Sequence, residues 1–271
     1  MQEGEKLEIV IIRGGGDLAT GIGHRLNRAG FKVVVLETSE PLAIRRKVSF
    51  AEAVYSGEIV VEGVKASLAK DLNQIYEILN NGNMPVYVDP KGDIIQELKP
   101  LAVVDSIMAK KNLGTTRDLA PITIGIGPGF YAGKDVDLVV ETNRGHYLGM
   151  VIHRGMAEKD TGIPGNTMGY KEERIVRAVA DGIVTHFSKI GSRVKVGELI
   201  CTTGEVEVRA NISGILRGLI KDGIYVKEGL KIGDIDPRGI EEHAFTISEK
   251  ARAVGGGVLE GIMYLRKERN I

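Results

Sequence analysis

A run of mostly β-branched residues, Ile9-Val10-Ile11-Ile12-Arg13, feeds directly into Gly14-Gly15-Gly16-Asp17-Leu18-Ala19. The spacing G-x-G-x-x-A at Gly14, Gly16 and Ala19 suits a backbone that turns sharply, lets a pyrophosphate approach and packs a helix on a strand. Leu18, Ile22 and Leu26 then recur at helical period as an apolar stripe, with His24, Arg25, Asn27 and Arg28 facing outward. The next strand, Lys32 to Leu36, ends at Glu37, 21 residues after Gly16, where a carboxylate can accept from a ribose 2′-OH. Such an acid favours an unphosphorylated ribose over a 2′-phosphate. Strand, glycine turn, helix, strand and acid in this order predict a Rossmann-type βαβ unit. Its nucleotide or phosphate site would use Gly14, Gly15, Gly16, Asp17, Ala19 and Glu37. The Asp17 carboxylate would repel a pyrophosphate; its other reading is the helix N-cap.

Further groups with suitable chemistry lie along the chain. Arg45 and Arg46 follow Glu37 closely and can grip a phosphate or carboxylate bidentately; otherwise they solvate a turn. Gly125, Gly127 and Gly129 follow a predicted strand in G-x-G-x-G spacing, a second turn able to present N–H groups to an anion. Arg117 and Asp118 precede that strand. Asn143, Arg144 and His146 follow the next one, with Arg144 suited to an anion, Asn143 to a heterocycle and His146 to general acid/base work. Taken singly, each also serves as an ion pair, a cap or a surface group. No H-E-x-x-H, C-x-x-C or His/Cys pair supports a metal centre. The first glycine turn lacks the Gly-Lys-Ser/Thr ending of a Walker A loop, which argues against P-loop ATP hydrolysis.

The elements that must position these groups read as α/β. Apolar runs at Glu8 to Arg13, Lys32 to Glu37, Pro85 to Asp89, Leu101 to Asp105, Pro121 to Ile126 and Asp137 to Glu141 alternate with helical patterns at Leu18 to Ala29 and Ala69 to Asn81. That alternation predicts a mostly parallel sheet covered on both faces; the long connections of 50–168 leave its topology open. Thirty-six Lys+Arg balance 36 Asp+Glu among 271 residues, which excludes a general nucleic-acid or anionic-membrane binder. The longest uncharged run, Leu119 to Gly133, has 15 residues broken by two prolines and is too short for a membrane span. The polar start MQEGEKLEIV and the lone Cys201 predict a cytoplasmic protein without a disulfide framework.

Past the Gly/Pro-rich stretch 161–166 a repeat begins. Gly182, Ile183, Gly191, Val194, Lys195, Gly197 and Ile200 recur 32 residues later as Gly214, Ile215, Gly223, Val226, Lys227, Gly229 and Ile232. Short strands separated by glycine turns, twice over, predict one small all-β unit. The repeat resembles the biotinyl/lipoyl type of barrel-sandwich domain, with Ala210-Asn211-Ile212-Ser213-Gly214 in place of its Ala-Pro-x-x-Gly turn. The hairpin tip that would carry the modified lysine then falls at Thr203, where no amine is present, so the unit is expected to dock rather than carry a prosthetic group. Cys201 has no adjacent base and reads as buried filler. In the tail, Thr246 and Glu249 have capping-box spacing, and Gly255 to Gly257 either kink the helix or let it pack closely. The chain thus divides into a Rossmann-like α/β domain (1–168), a barrel-sandwich domain (169–238) and a helical segment (239–271) packing on the α/β domain.

Several stretches together, IIRGGGDLATG (11–21), PLAIRR and VSFAEAVY within 41–55, VDSIMAKKNLGTTRDLAP (104–121), IGIGPGF (124–130), VVETNRGH (139–146), TGIPG (161–165) and GDIDPR (233–238), resemble the YqeB family over nearly the whole chain. These are accessory proteins of the selenium-dependent molybdenum hydroxylase system. The resemblance implies a role in maturing such a hydroxylase, whose apoprotein becomes a candidate partner, and leaves the biochemical step open. Three expectations follow: a binding factor holding a nucleotide-bearing cofactor such as a molybdopterin dinucleotide; an NAD-dependent oxidoreductase assisted by His146; or a scaffold with a vestigial loop. In each, the barrel-sandwich unit docks to the Rossmann domain, to a second subunit or to the hydroxylase apoprotein.

Overall fold

The computed structural model describes residues 8–162 and 165–271. Residues 8–41, 50–160 and 248–271 form one compact unit, and 42–49 with the remainder of 161–247 form another. The protein is mixed α/β, with one large, mostly parallel sheet and two smaller antiparallel sheets.

The first unit contains β1 (Ile9–Arg13), α1 (Asp17–Arg28), β2 (Lys32–Glu37), α2 (Ala53–Ser56), β3 (Glu58–Val61), β4 (Val64–Ala69), α3 (Leu72–Asn80), β5 (Met84–Val88), α4 (Ile95–Leu98), β6 (Ala102–Asp105), β7 (Ile122–Ile126), β8 (Leu138–Val140), β9 (Val151–Ile152) and α5 (Glu249–Arg269). Sheet order is β3-β4-β5-β2-β1-β6-β7-β8-β9. Strands β4 to β8 run parallel, and β3 and β9 pair antiparallel at the two edges. The central strands are apolar almost throughout because both faces are covered, as β1 shows with all five residues buried. Beneath one face lies a core of Ile9, Ile11, Val34 and Val103 against Ile75 and Leu79 of α3 and Ile95 and Leu98 of α4. Asp71 caps α3, its Oδ1 accepting from Gln74 N at 2.9 Å. The β3–β4 hairpin turns through Glu62 and Gly63 at φ 44° and 82°, the left-handed pair that a two-residue hairpin demands.

Helix α5 is continuous over its 21 residues despite three adjacent glycines. Close packing explains two of them. A Cβ at Gly255 would stand 2.8 Å from Gly21 O, and one at Gly257 would stand 2.2 Å from Gly149 O. Gly21 is matched in turn by Ala251, 2.7 Å from where its own Cβ would lie. The cap is Ser248, whose Oγ accepts from Ala251 N at 3.2 Å, so Thr246 lies outside the helix. No helix among the described residues is long and apolar enough to cross a membrane.

The second unit carries β10 (Ile175–Arg177), β11 (Gly182–His186), β12 (Arg193–Val194), β13 (Leu199–Thr203), β14 (Val206–Arg209), β15 (Gly214–Leu219), β16 (Tyr225–Val226) and β17 (Lys231–Asp236). Each repeat supplies four strands, and the repeats exchange them. One sheet runs β10-β17-β15-β12 and the other β14-β13-β11-β16, so the outer strands of each come from the opposite repeat. The turns obey the same symmetry: Gly191 N donates to Leu216 O and Gly223 N to Val184 O, each at 2.9 Å. Residues of all eight strands meet in one apolar core, from Val176 to Ile235. The unit expected as a small barrel or sandwich is two separate four-stranded sheets around a shared core; no closed barrel forms among the described residues. The β13–β14 turn is Gly204-Glu205, while Thr203 is a buried strand residue accepting from Ala180 N at 3.2 Å.

This unit differs from the expected 169–238 by starting at 161, by keeping residues up to 247 and by including 42–49. Hydrogen bonds account for the last addition: Leu219 N donates to Ile44 O at 2.9 Å, and Arg46 Nε donates to Leu219 O at 3.0 Å.

Candidate functional site

Strand order reverses between β1 and β6, and open parallel sheets bind their ligands beyond the carboxyl ends of the strands at such a reversal. The glycine turn lies there. Gly14 adopts φ +89°, and a Cβ on it would stand 2.9 Å from Ser106 O, so the turn after β1 is pressed against the turn after β6. Gly15 is enclosed as well: a Cβ would meet Ala51 N at 2.9 Å, while its own N–H donates to Glu37 Oε2 at 2.7 Å. Gly16 is different. It is the N-cap of α1 with φ −64° and ψ −175°, an extended conformation open to any residue, and among the described residues no atom lies within 4 Å of a Cβ placed on it. Asp17 is the first residue of the helix rather than its cap, and Ala19 is buried.

The end of β8 reaches the same edge of the sheet. Glu141 is buried there and clamps its loop, accepting from Thr142 N and Asn143 N through Oε1 and from Glu158 N through Oε2, each at 2.7 Å. Asn143 donates its amide to Glu158, and Arg144 pairs with Glu249 at the start of α5. His146 is exposed and stands edge-on to Tyr147, with ring centroids 4.9 Å apart. The next residue of α5, Lys250, is half-buried. Burial pulls its ammonium below the ordinary lysine range; Asp17 opposes that shift, Arg144 adds to it, and Glu141 and Asp160 oppose it more weakly. The starts of α1 and α5 therefore share this edge, held together by the Gly21–Ala251 contact.

Other expected residues lie elsewhere or are already occupied. Arg117 and Asp118 precede β7, at the amino ends of the strands. Arg117 donates through Nε to Asp137 Oδ1 at 2.9 Å, and Arg269 Nη2 reaches the same oxygen at 2.8 Å. Asp118 accepts from Thr116 and lines a cleft of 710 Å³ with Glu8, Ile95, Leu101 and Leu119. Arg45 and Arg46 belong to the second unit, where Arg45 Nη2 donates to His243 O and Thr246 O at 2.9 Å. Gly127 and Gly129 do stand at the carboxyl edge. There they let loops cross: a Cβ would meet Thr142 Oγ1 at 2.6 Å from Gly127 and Lys111 N at 2.7 Å from Gly129. Gly127 N is spent on Val140 O at 2.9 Å. The groups brought together are Gly14 to Asp17, Glu37, Asn143, Arg144 and Lys250.

No protein-family model matches the chain. Over 258 residues it is 52% identical to the uncharacterized protein YqeB of Escherichia coli (strain K12), a match covering 95% of this chain and 48% of that protein. That likeness supports the YqeB family. The chain spans about half the length of the curated relative it matches. Among solved structures, it is similar to the product-bound ectoine utilization protein EutE (DoeB) of Ruegeria pomeroyi, at 10% identity over 84% of this chain and 57% of that one, with a TM-score of 0.24. An aspartoacylase family protein of Mesorhizobium loti matches at 9% identity over 78% of this chain and 58% of that one, with a TM-score of 0.26. Neither superposition is close enough to carry structural weight.

The stretches that resemble the YqeB family fall into both units. IIRGGGDLATG forms the β1–α1 turn and VVETNRGH the end of β8, whereas PLAIRR passes into the second unit and GDIDPR builds the end of β17. Ile163 and Pro164 of TGIPG lie outside the described residues, as does the polar start 1–7. Lys250 has no motif around it. Its one sequence signal is its place in the first turn of a helix whose small residues, Ala251 and Gly255, permit a close crossing.

Proposed function

We propose that this chain is a cytoplasmic maturation factor for a selenium-dependent molybdenum hydroxylase, and that it holds a nucleotide-bearing cofactor, a molybdopterin dinucleotide, at a Rossmann-type glycine turn. Gly16 carries the reading. Gly14 and Gly15 are glycine for reasons internal to the fold, but Gly16 has no left-handed φ, and among the described residues no atom lies within 4 Å of a Cβ placed on it. A Ser or Asp there would cap α1 better. Absence of a side chain at this position makes sense when a ligand backbone comes up against it, the role of the second glycine in the dinucleotide fingerprint. Glu37, at the end of β2 and bonded to Gly15, supports this with a carboxylate able to accept from a ribose hydroxyl. The second unit, with its exchanged strands and no lysine at Gly204-Glu205, fits a barrel-sandwich docking module.

Calorimetry of the full chain with molybdopterin dinucleotides, NAD, ATP and CTP tests this. Gly16→Asp introduces a charge into open space, so it should abolish binding while leaving the melting temperature near that of the parent. Unweakened binding by Gly16→Asp would exclude the turn as the site. Tight NAD binding with turnover would make the protein an oxidoreductase, and silence for every ligand would leave a scaffold. Loss of hydroxylase activity in cells lacking the protein is the expected biological readout.

A further inference from the structure

The turn after β6 holds a hydroxyl that the fold does not use. Ser106 is 4% exposed, and its Oγ has no hydrogen-bond partner among the described residues. A buried, unpaired hydroxyl costs free energy, and folded proteins keep few of them. Its neighbours are fully engaged by comparison. Asp105 Oδ2 accepts from Thr115 Oγ1 at 2.6 Å and lies 3.7 Å from Arg13 Nη1, while Oδ1 accepts from Ile107 N at 3.1 Å.

Register sets the face of the sheet on which Ser106 falls. Ile12, Val104 and Ile124 are paired across β1, β6 and β7. Ile12 lies 3.4 Å from a Cβ placed on Gly23 of α1, and Ile124 lies 3.3 Å from one placed on Gly261 of α5, so Val104 faces these two helices. Side chains alternate along a strand. Asp105 therefore turns to the opposite face, that of α3 and α4, and Ser106, whose N–H continues the ladder to Arg13 O at 2.9 Å, is the next position on the side of α1 and α5. On that side lie the open Gly16, the start of α1 and Lys250 in the first turn of α5.

We propose that Ser106 Oγ and Lys250 Nζ form a phosphate subsite that takes the diphosphate of an ester lying across the Gly14–Asp17 turn. This rests on the nucleotide reading above and adds the groups that grip the ligand. A diphosphate oxygen supplies the acceptor that the Ser106 hydroxyl lacks, and a lysine ammonium beside a helix N-terminus is a suitable counter-charge. Lys250 also answers the difficulty posed by Asp17, because an ammonium within its field offsets a carboxylate that would otherwise repel the ligand.

Titration of the full chain with inorganic pyrophosphate, alongside the nucleotide panel, tests the subsite in the parent protein and in Ser106→Ala and Lys250→Gln. Each variant should bind pyrophosphate about tenfold more weakly, the loss of one charge-assisted contact. Ligand-free Ser106→Ala should melt at the parent temperature or above it, since no hydrogen bond is removed; a clear drop would mean that the hydroxyl serves the fold, and would overturn the proposal. Nucleotide binding that Gly16→Asp abolishes but Ser106→Ala leaves unchanged would also overturn it, with the nucleotide reading intact. Pyrophosphate binding without nucleotide binding would keep the subsite and remove the nucleotide. Silence for pyrophosphate and nucleotides alike would remove both.

Discussion

The backbone N–H of Gly15 donates to the carboxylate of Glu37 at 2.7 Å, tying the end of β2 to the glycine turn that follows β1. The other carboxylate oxygen accepts from Thr38 N, also at 2.7 Å. Glu37 therefore has a structural task before any ligand arrives, and each oxygen still has a lone pair to offer a ribose hydroxyl.

Glu37→Ala removes both acceptors and should lower stability in urea by about 1–2 kcal/mol, the value of hydrogen bonds to a charged group less what water restores. Glu37→Gln keeps an acceptor and should recover most of that loss. Equal midpoints for Glu37→Ala and the parent would show that the Gly15 bond contributes nothing.

Gly256 is the odd member of its trio. Gly255 and Gly257 face backbone, whereas among the described residues no atom lies within 4 Å of a Cβ on Gly256. Gly256→Ala should therefore raise stability by about 0.5–1 kcal/mol through helix propensity. Gly255→Ala forces a Cβ to 2.8 Å from Gly21 O and should destabilise. Matching thermal melts would detect both signs, and a loss from Gly256→Ala would refute this account of α5.

The β1–α1–β2 unit was legible because apolar runs, glycine spacing and helical periodicity all act locally. The β3–β4 hairpin was not: Val60 is 59% exposed, and its Glu-Gly turn lacks the Asn-Gly or Asp-Gly signal. The stretch 41–47 reads in sequence as lying near a ligand edge because Arg45 and Arg46 follow Glu37 closely. Their partners, His243, Thr246 and Leu219, lie more than 170 residues along the chain, a pairing no local pattern encodes. Ser106 and Lys250 acquire their roles only when the sheet register and the α1–α5 crossing are known. The repeat was legible as a repeat; that its halves exchange strands follows from pairing alone.

Cys201 is fully buried in the core of the second unit, and burial pushes its thiol up to about 12, with Asp222 adding to the shift. Thiolate is the reactive form, so this cysteine should be inert in the native protein. Labelling with a thiol-specific disulfide reagent should be negligible at neutral pH and go to completion in denaturant. Fast native labelling would restore Cys201 as a candidate in selenium chemistry.

GDIDPR places two acids in a chain of buried charge. Arg174 Nη2 lies 3.2 Å from Asp234 Oδ1, Arg217 Nη1 lies 3.7 Å from Asp234 Oδ2 with its Nε 3.9 Å from Asp236 Oδ2, and Arg238 Nη2 meets Asp236 Oδ2 at 2.6 Å. Burial alone would raise the Asp236 carboxyl; the bonds from Arg238 and the charge of Arg217 outweigh it and hold the group at about 2, against 3.8 for a free aspartate. A native value below the unfolded one means that the stability Asp236 contributes is present above about pH 4 and is lost as pH falls toward 2. Asp236→Asn should cost about 3 kcal/mol at neutral pH, because it leaves Arg217 and Arg238 short of a buried partner, and should flatten the decline between pH 4 and pH 2. Urea midpoints measured across that range test both effects. A decline equally steep in the variant would assign it to other carboxylates, Asp137 first among them, since the bonds from Arg269, Thr123 and Arg117 hold it low against the opposing effect of burial.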